Sequence, residues 1–329
     1  MSNAKDSDVK KGLLYGVVMV LLVGLQPVIS RRRNQAELDP WIFATMTCII
    51  ECIIFFPLVL HERRGIRKLI SIPEKAPLVE PMLNGWRKNL KILIYIGINF
   101  GVAQILFFLS FDLAGEINGA LAQKTSVIFS LLFGYLINKE RITKLQIAFS
   151  GLLLFGLVLA ITQGQFNLLE INLGVIVMII TTTMWMLAHS ITKPVLDRHE
   201  STPRQLVFVR NGLSGAILFT VYLFVFPVSN LVHLLDPVNA AFYITMGVNY
   251  GIDLFCWYKV LYYLGTSKAG IVASPTPIAT AFFLMFLGEF FTIFHLLGMI
   301  IIILSIYFII REKERVKKVS QEASKQEEI

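Results

Sequence analysis

Gly97-Ile98-Asn99-Phe100-Gly101-Val102 is read almost unchanged a second time as Gly247-Val248-Asn249-Tyr250-Gly251-Ile252. The offset is 247 − 97 = 150 residues in a chain of 329, and Gly115 and Gly265 keep it. Further on, Asn138-Lys139-Glu140-Arg141-Ile142-Thr143 faces Leu287-Gly288-Glu289-Phe290-Phe291-Thr292, with the glutamates 149 apart, so one residue has been lost between the copies. Each copy of the glycine motif lies inside an apolar run, and crossing a bilayer takes about 20 such residues. The duplicated unit is therefore a set of membrane helices. The copies fall in the third and eighth of these runs, so the unit has five crossings and its second pass runs in the opposite sense. The glycines are expected to be packing residues, because small side chains let membrane helices approach closely.

The composition agrees. Hydrophobic residues make up 55% and charged residues 16%, with a mean hydropathy of +0.68. Such a chain belongs first to the membrane class. Ten apolar runs are predicted to span: Gly12–Ser30, Trp41–Leu60, Lys91–Phe111, Asn118–Ile137 and Leu145–Thr162, then Leu173–Thr192, Arg204–Phe226, Asn239–Lys259, Ala269–Glu289 and Phe291–Ile310. The expected fold is all-α and integral to the membrane, with ten transmembrane helices as two inverted five-helix repeats around a central cavity. Residues 1–11 form an N-terminal segment, 12–163 and 164–310 the repeats, and 311–329 a charged tail expected to extend the last helix and fray.

The net charge of +8 comes from basic clusters between the apolar runs, including Lys10 and Lys11, Arg63 to Lys68, Lys139 to Lys144, Lys193 and Arg198, and Arg311 to Lys318. Lys and Arg resist translocation, so these segments are predicted to be cytoplasmic, with both termini inside a plasma membrane. That pattern fits leaflet anchoring rather than a nucleic-acid groove. Arg31, Arg32 and Arg33 are the exception, read as snorkelling at the outer interface, with attraction of an anionic solute as the alternative. Cys48, Cys52 and Cys256 lie in apolar runs with no CxxC and are read as packing residues. No HExxH, GxSxG or phosphate-cradling glycine loop is present, so no enzyme, metal or cofactor is expected and uphill transport would need an ion gradient or exchange.

The ten-run order, the duplicated glutamate followed by a hydrophobe and threonine, and the run Ser274-Pro275-Thr276-Pro277 before Glu289 together resemble the drug/metabolite transporter superfamily, and within it the EamA-like family. The resemblance implies a cavity lined by helices one, three, four, six, eight and nine, with five and ten peripheral. It implies transport of amino acids, metabolites or drugs and, in related branches, nucleotide sugars and phosphorylated sugars. The first repeat departs from the pattern, carrying Ser126 and Val127 where the proline would stand.

Charged residues inside a membrane helix cost at least ~2.5 kcal/mol near the bilayer centre and normally face a cavity or a partner. Lys124, beside Gln123 and Thr125, is the leading substrate-binding candidate, able to take a carboxylate or phosphate; its structural alternatives are snorkelling or a pair with Glu51. A lysine in the fourth helix also resembles the phosphate-contacting lysine of nucleotide-sugar transporters. Glu51 and Asp253 are candidates for proton coupling or charge pairing, Asp253 with Lys259 as its alternative mate. Gln26, Asn99, Gln104, Trp185, His189, Asn249, Tyr250 and Trp257 would supply hydrogen bonds and apolar walls. Pro275 and Pro277 are expected to break helix nine as a gate or kink, freeing backbone carbonyls.

The functional expectation is a secondary transporter of a small organic metabolite, anionic or zwitterionic, such as an amino acid or organic acid. Its partners would be that solute, the lipid bilayer and a coupling proton or counter-substrate, with a homodimer left open. The alternative is an exchanger of phosphorylated sugars or nucleotide sugars, which a second basic residue in the cavity would favour. A non-transporting receptor or accessory subunit would instead have a dry core in which Lys124, Glu51 and Asp253 neutralise one another.

Overall fold

The computed structural model describes residues 2–33, 38–74, 76–138, 142–166, 172–273, 275–288 and 292–327, and among these all regular structure is helical. In chain order the helices are α1 (Ser2–Arg33), α2 (Pro40–Ile70), α3 (Ala76–Lys88), α4 (Leu90–Ala114), α5 (Glu116–Ala122), α6 (Ser126–Asn138), α7 (Lys144–Ile161), α8 (Leu173–Asp197), α9 (Pro203–Val225), α10 (Pro237–Ala273), α11 (Thr276–Met285) and α12 (Ile293–Glu327). The duplicated Glu140 and Glu289 lie outside the described residues.

Among the described residues seven stretches are long and apolar enough to cross a membrane, with α5 and α6 counting as one. An eighth results if the 3₁₀ helix Val228–Leu235 and Pro237–Val260, which meet at 84°, form one bent span. The ninth and tenth expected spans are shorter as apolar helices, Thr276–Met285 and Ile293–Ile309. The chain is thus a helical, multi-pass membrane protein. The eighth and ninth runs also differ from expectation in their connection. Gly115 has φ 76° and ψ 161°, a conformation open to glycine, and it separates α4 from α5. Gly265 instead stays within the helix α10, which continues to Ala273. The tail expected to fray continues α12 as helix through Glu327.

Two helix breaks position the site. A 3₁₀ turn at Gln123–Thr125 precedes α6, which begins at Ser126; α10 stops at Ala273 and α11 begins at Thr276. The two starts are 276 − 126 = 150 residues apart, the offset of the glycine motif. The second break falls where Pro275 and Pro277 predict one. Pro275 caps α11 and Pro277 lies in its first turn, where a missing N–H is tolerated. Pro277 cannot donate to the Ala273 carbonyl four residues earlier. That carbonyl accepts instead from Thr276 Oγ1 at 2.6 Å and from Lys124 Nζ at 3.4 Å. The first break has no proline, but Thr125 Oγ1 donates to the Ala122 carbonyl at 2.8 Å and contacts Thr182 Oγ1 at 3.1 Å, side-chain bonds that compete with the helical ladder.

The glycine motif explains how the halves meet. A Cβ on Gly97 would stand 2.6 Å from Leu213 Cβ, and one on Gly247 would stand 2.6 Å from Ile50 Cβ. Gly101 likewise faces Ser214 and Leu218, and Gly251 faces Glu51 and Phe55. Each copy of the Gly-x-x-x-Gly stripe therefore packs its helix onto a helix of the other half, α4 onto α9 and α10 onto α2, and a Cβ at Gly97 or Gly247 would force that contact apart. Ser214 Oγ donates to the Gly97 carbonyl at 2.7 Å, sealing the first crossing.

The basic connection between the second and third spans, read from the sequence as a loop, is largely helical. α2 runs on to Ile70, and α3 turns Trp86 toward Phe208 and Arg63, whose guanidinium lies 4.3 Å from the indole centroid. Glu200, in the α8–α9 connection, is buried there. It accepts from Lys88 Nζ, from Asn89 Nδ2 at 2.9 Å and from Arg198 Nη2 at 3.0 Å. These bonds, chiefly those from Arg198 and then Lys88, hold its carboxyl at about 2, below the ordinary 4.5. Gly85 makes the approach possible, because a Cβ there would fall 1.6 Å from the Glu200 carbonyl oxygen.

Candidate functional site

A cavity of ≈ 220 Å³ lies between the two helix breaks. Gln123 and Lys124 border it from the first break, Ala273 and Thr276 from the second. Its aromatic walls are Phe100 on α4, Trp185 and His189 on α8, and Tyr250 and Trp257 on α10, with Gln26 on α1. Three charged side chains reach it: Lys124, Asp253 on α10 and Arg210 on α9.

Seven of the expected binding residues thus meet at one space: Gln26, Gln123, Lys124, Trp185, His189, Tyr250 and Trp257, with Asp253 beside them. Asn99 and Asn249 do not border it. Both are buried, and Asn99 Nδ2 donates within its own helix to the Tyr95 hydroxyl at 3.2 Å. Gln104 is buried away from the cavity as well. Pro275 and Pro277 shape the break without bordering the cavity; Pro277 faces a separate small void with Ile117 and Leu121. The tenth span is less peripheral than the resemblance implies, because Ile306 and Ile309 of α12 close one wall, and the seventh span contributes Arg210.

The charges are arranged differently from either pairing considered in the sequence. Lys124, 7% exposed, donates to the Ala273 carbonyl rather than to Glu51. Asp253 accepts from Gln26 Nε2 at 3.1 Å through Oδ2, while Oδ1 is buried with no hydrogen-bond partner among the described residues. Its alternative mate Lys259 lies over the Phe255 and Tyr263 rings at 5.5 and 5.9 Å. The Asp253 carboxylate is within Coulombic reach of both Lys124 and Arg210.

Arg210 is the residue that sequence reasoning missed. It is 3% exposed, and its guanidinium lies 4.1 Å from the Phe100 ring centroid. Nε donates to Asn211 Oδ1 at 3.2 Å, and Asn211 Nδ2 in turn donates to Glu51 Oε2 at 2.6 Å. Glu51 is fully buried behind the cavity wall, and its Oε1 has no hydrogen-bond partner among the described residues. The signal was available: Phe208-Val209-Arg210-Asn211-Gly212 places a charge well inside an apolar run. Arginine so placed needs a partner or a water-filled space, and here it has both a relay to a carboxylate and a cavity.

A space of this size differs from a sealed bundle core. Interiors are close-packed, with few voids larger than a water molecule. Here charged side chains border a void between broken membrane helices. The fold and site together define a membrane transporter. The family model of the EamA-like transporter family matches residues 10–162 and again 172–311, and the chain belongs to that family. It is similar to the uncharacterized transporter YyaM of Bacillus subtilis (strain 168), with 23% identity over 225 residues, covering 67% of this chain and 73% of that one. A protein of known crystal structure shares the fold at a TM-score of 0.62 and 12% identity, over 93% of this chain and 99% of its own.

Proposed function

We propose that this chain is a secondary transporter that carries a small organic metabolite, anionic or zwitterionic, across the plasma membrane by alternating access. The observation that carries the substrate class is the cavity itself: two cations, Lys124 and Arg210, and one carboxylate, Asp253, border ≈ 220 Å³ between aromatic walls. An amino acid or organic acid meets that set, its carboxylate toward Lys124 and Arg210 and an ammonium, where present, toward Asp253. Arginine adds a planar bidentate fork to the point charge of lysine.

A second basic residue also favours a phosphorylated substrate, as the sequence argument anticipated. Two features weigh against it. Asp253 repels a dianion, and the cavity is below the ~300–1,000 Å³ usual for ligand pockets, which disfavours a nucleotide sugar most strongly. A small sugar phosphate remains the second reading. The receptor or accessory-subunit reading is disfavoured by the open space among the charges.

The architecture we propose for the transport cycle is ten spans in two inverted repeats, 12–163 and 164–310, with both termini cytoplasmic. The 150-residue offset shared by the glycine motif and the helix breaks supports it, as does the family model matching two successive segments. Pseudo-symmetric halves supply two nearly equivalent packings, one opening to each side. Driving force would come from a proton or a counter-substrate.

A thermal-shift screen of the purified protein against amino acids, organic acids and sugar phosphates tests this reading. Wild type should be stabilised by a carboxylate-bearing compound that leaves Lys124→Ala and Arg210→Gln unmoved. Stabilisation by sugar phosphates alone would transfer the assignment to the second reading, and equal stabilisation of both variants would remove the two cations from the site.

A further inference from the structure

Glu51 is the charged group that the cavity leaves unexplained. It is fully buried and does not border the cavity, so it is not a substrate contact. An isolated buried carboxylate is costly, and one held this way has either a compensating cation or a proton. The groups facing it can be named from each element. Its own helix brings Cys48 and Cys52, α9 brings Arg210 and Asn211, and α10 brings Tyr250 and Asp253. Gly251 lets α10 approach to where an added Cβ would stand 3.3 Å from Glu51 Cγ. Arg210 is the cation among these groups, reached through the single side chain of Asn211.

We propose that Glu51 is a proton-binding site coupled through Asn211 to anion binding at Arg210, so that one proton enters with a substrate of net charge −1. This rests on the reading of the cavity as a site for an anionic or zwitterionic solute. In the proposed resting state Lys124 and Arg210 are balanced by Asp253 and Glu51. A monoanion that pairs with Arg210 draws off the charge that compensates Glu51 and leaves one negative charge in excess inside a medium of low dielectric. A proton from the aqueous phase restores the balance on Glu51. Oε1, which has no hydrogen-bond partner among the described residues, receives it, while Oε2 goes on accepting from Asn211. A zwitterion is net neutral and enters without a proton. Linkage is reciprocal: the proton raises anion affinity by the factor by which the anion favours the proton.

Infrared difference spectroscopy on the lipid-reconstituted protein tests the coupling without a ligand. Arg210→Gln removes the cation as an arriving anion would neutralise it. The variant should gain the carbonyl band of a protonated carboxyl at neutral pH, absent from wild type and lost in the Glu51→Gln/Arg210→Gln double variant. Asn211→Leu, which cuts the relay but keeps Arg210, should gain the same band and serves if Arg210→Gln does not fold. No band in either variant, or a band that survives removal of Glu51, would overturn the proposal.

Two sulfonates, ionised throughout the titration, then test the stoichiometry by thermal shift. The apparent affinity of methanesulfonate, a monoanion, should fall by about tenfold per pH unit in wild type where Glu51 titrates and be flat in Glu51→Gln. That of taurine, a zwitterion, should be flat in both. A pH-independent methanesulfonate affinity in wild type contradicts the coupling. Failure of both probes to bind at any pH counts against the cavity reading, while the infrared result still decides the coupling.

Discussion

Replacing Glu200 by Gln removes a charge that three donors share at the basic end of the bundle. The carboxyl is held at about 2 against an ordinary 4.5, and at ~1.36 kcal/mol per pH unit the gap sets a ceiling of about 3 kcal/mol. The side chains of Lys88 and Arg198 are 67% and 49% exposed, so water and salt screen much of the attraction. A realistic loss is ~1–2 kcal/mol. The sign follows from the direction: a carboxyl held below its ordinary value contributes stability that is fully present above pH 4.5 and is lost as pH falls toward 2. Glutamine does not titrate, so its deficit should be full at pH 7 and shrink as wild type is acidified through that window. Fluorescence-detected melting in detergent measures both curves, and added salt should narrow the gap at pH 7. A wild-type advantage unchanged between neutral pH and pH 3 would refute the assignment of this cluster as an electrostatic clamp between the α3–α4 junction and the α8–α9 connection.

The other predictions concern the helix contacts. A Cβ on Gly298 would fall 2.5 Å from the Gly156 carbonyl oxygen and 2.7 Å from Ala160 Cβ, so Gly298→Val should part α12 from α7 and lower stability by ~1–3 kcal/mol. Gly151→Ala, with nothing within 4 Å of its Cβ, should melt above wild type, by up to the ~1 kcal/mol that a glycine costs a helix interior. Pro277→Ala gives the Ala273 carbonyl a helical donor again, releasing Lys124 and straightening the break. That variant should fold, slow its amide hydrogen exchange around residue 277 and transport poorly; unchanged exchange would mean that Thr276 and Lys124, not the missing donor, maintain the break.

The membrane class and the duplicated packing motif were legible because both are written in local pattern: long apolar runs, and glycines repeated at one offset. The second break was legible because two prolines mark it. The first was not, because its cause is the Thr125 hydroxyl and its contact with Thr182, which lies in another helix. The continuity of α10 through Gly265 was hidden for a related reason, since a helix tolerates one glycine at a cost of about 1 kcal/mol. Arg210 was readable as a charge inside an apolar run and was passed over beside Arg204 and the other basic residues. The repeat drew attention to Asn99 and Asn249, but what it repeats is glycine packing, and neither asparagine borders the cavity.

The most direct test of the account is counterflow in proteoliposomes preloaded with unlabelled amino acids and organic acids, followed by uptake of each labelled compound. Wild type should accumulate at least one carboxylate-bearing compound, while Lys124→Ala and Arg210→Gln, inserted to equal extent, accumulate several-fold less. Uptake by both variants at the wild-type rate would contradict a solute site between the helix breaks.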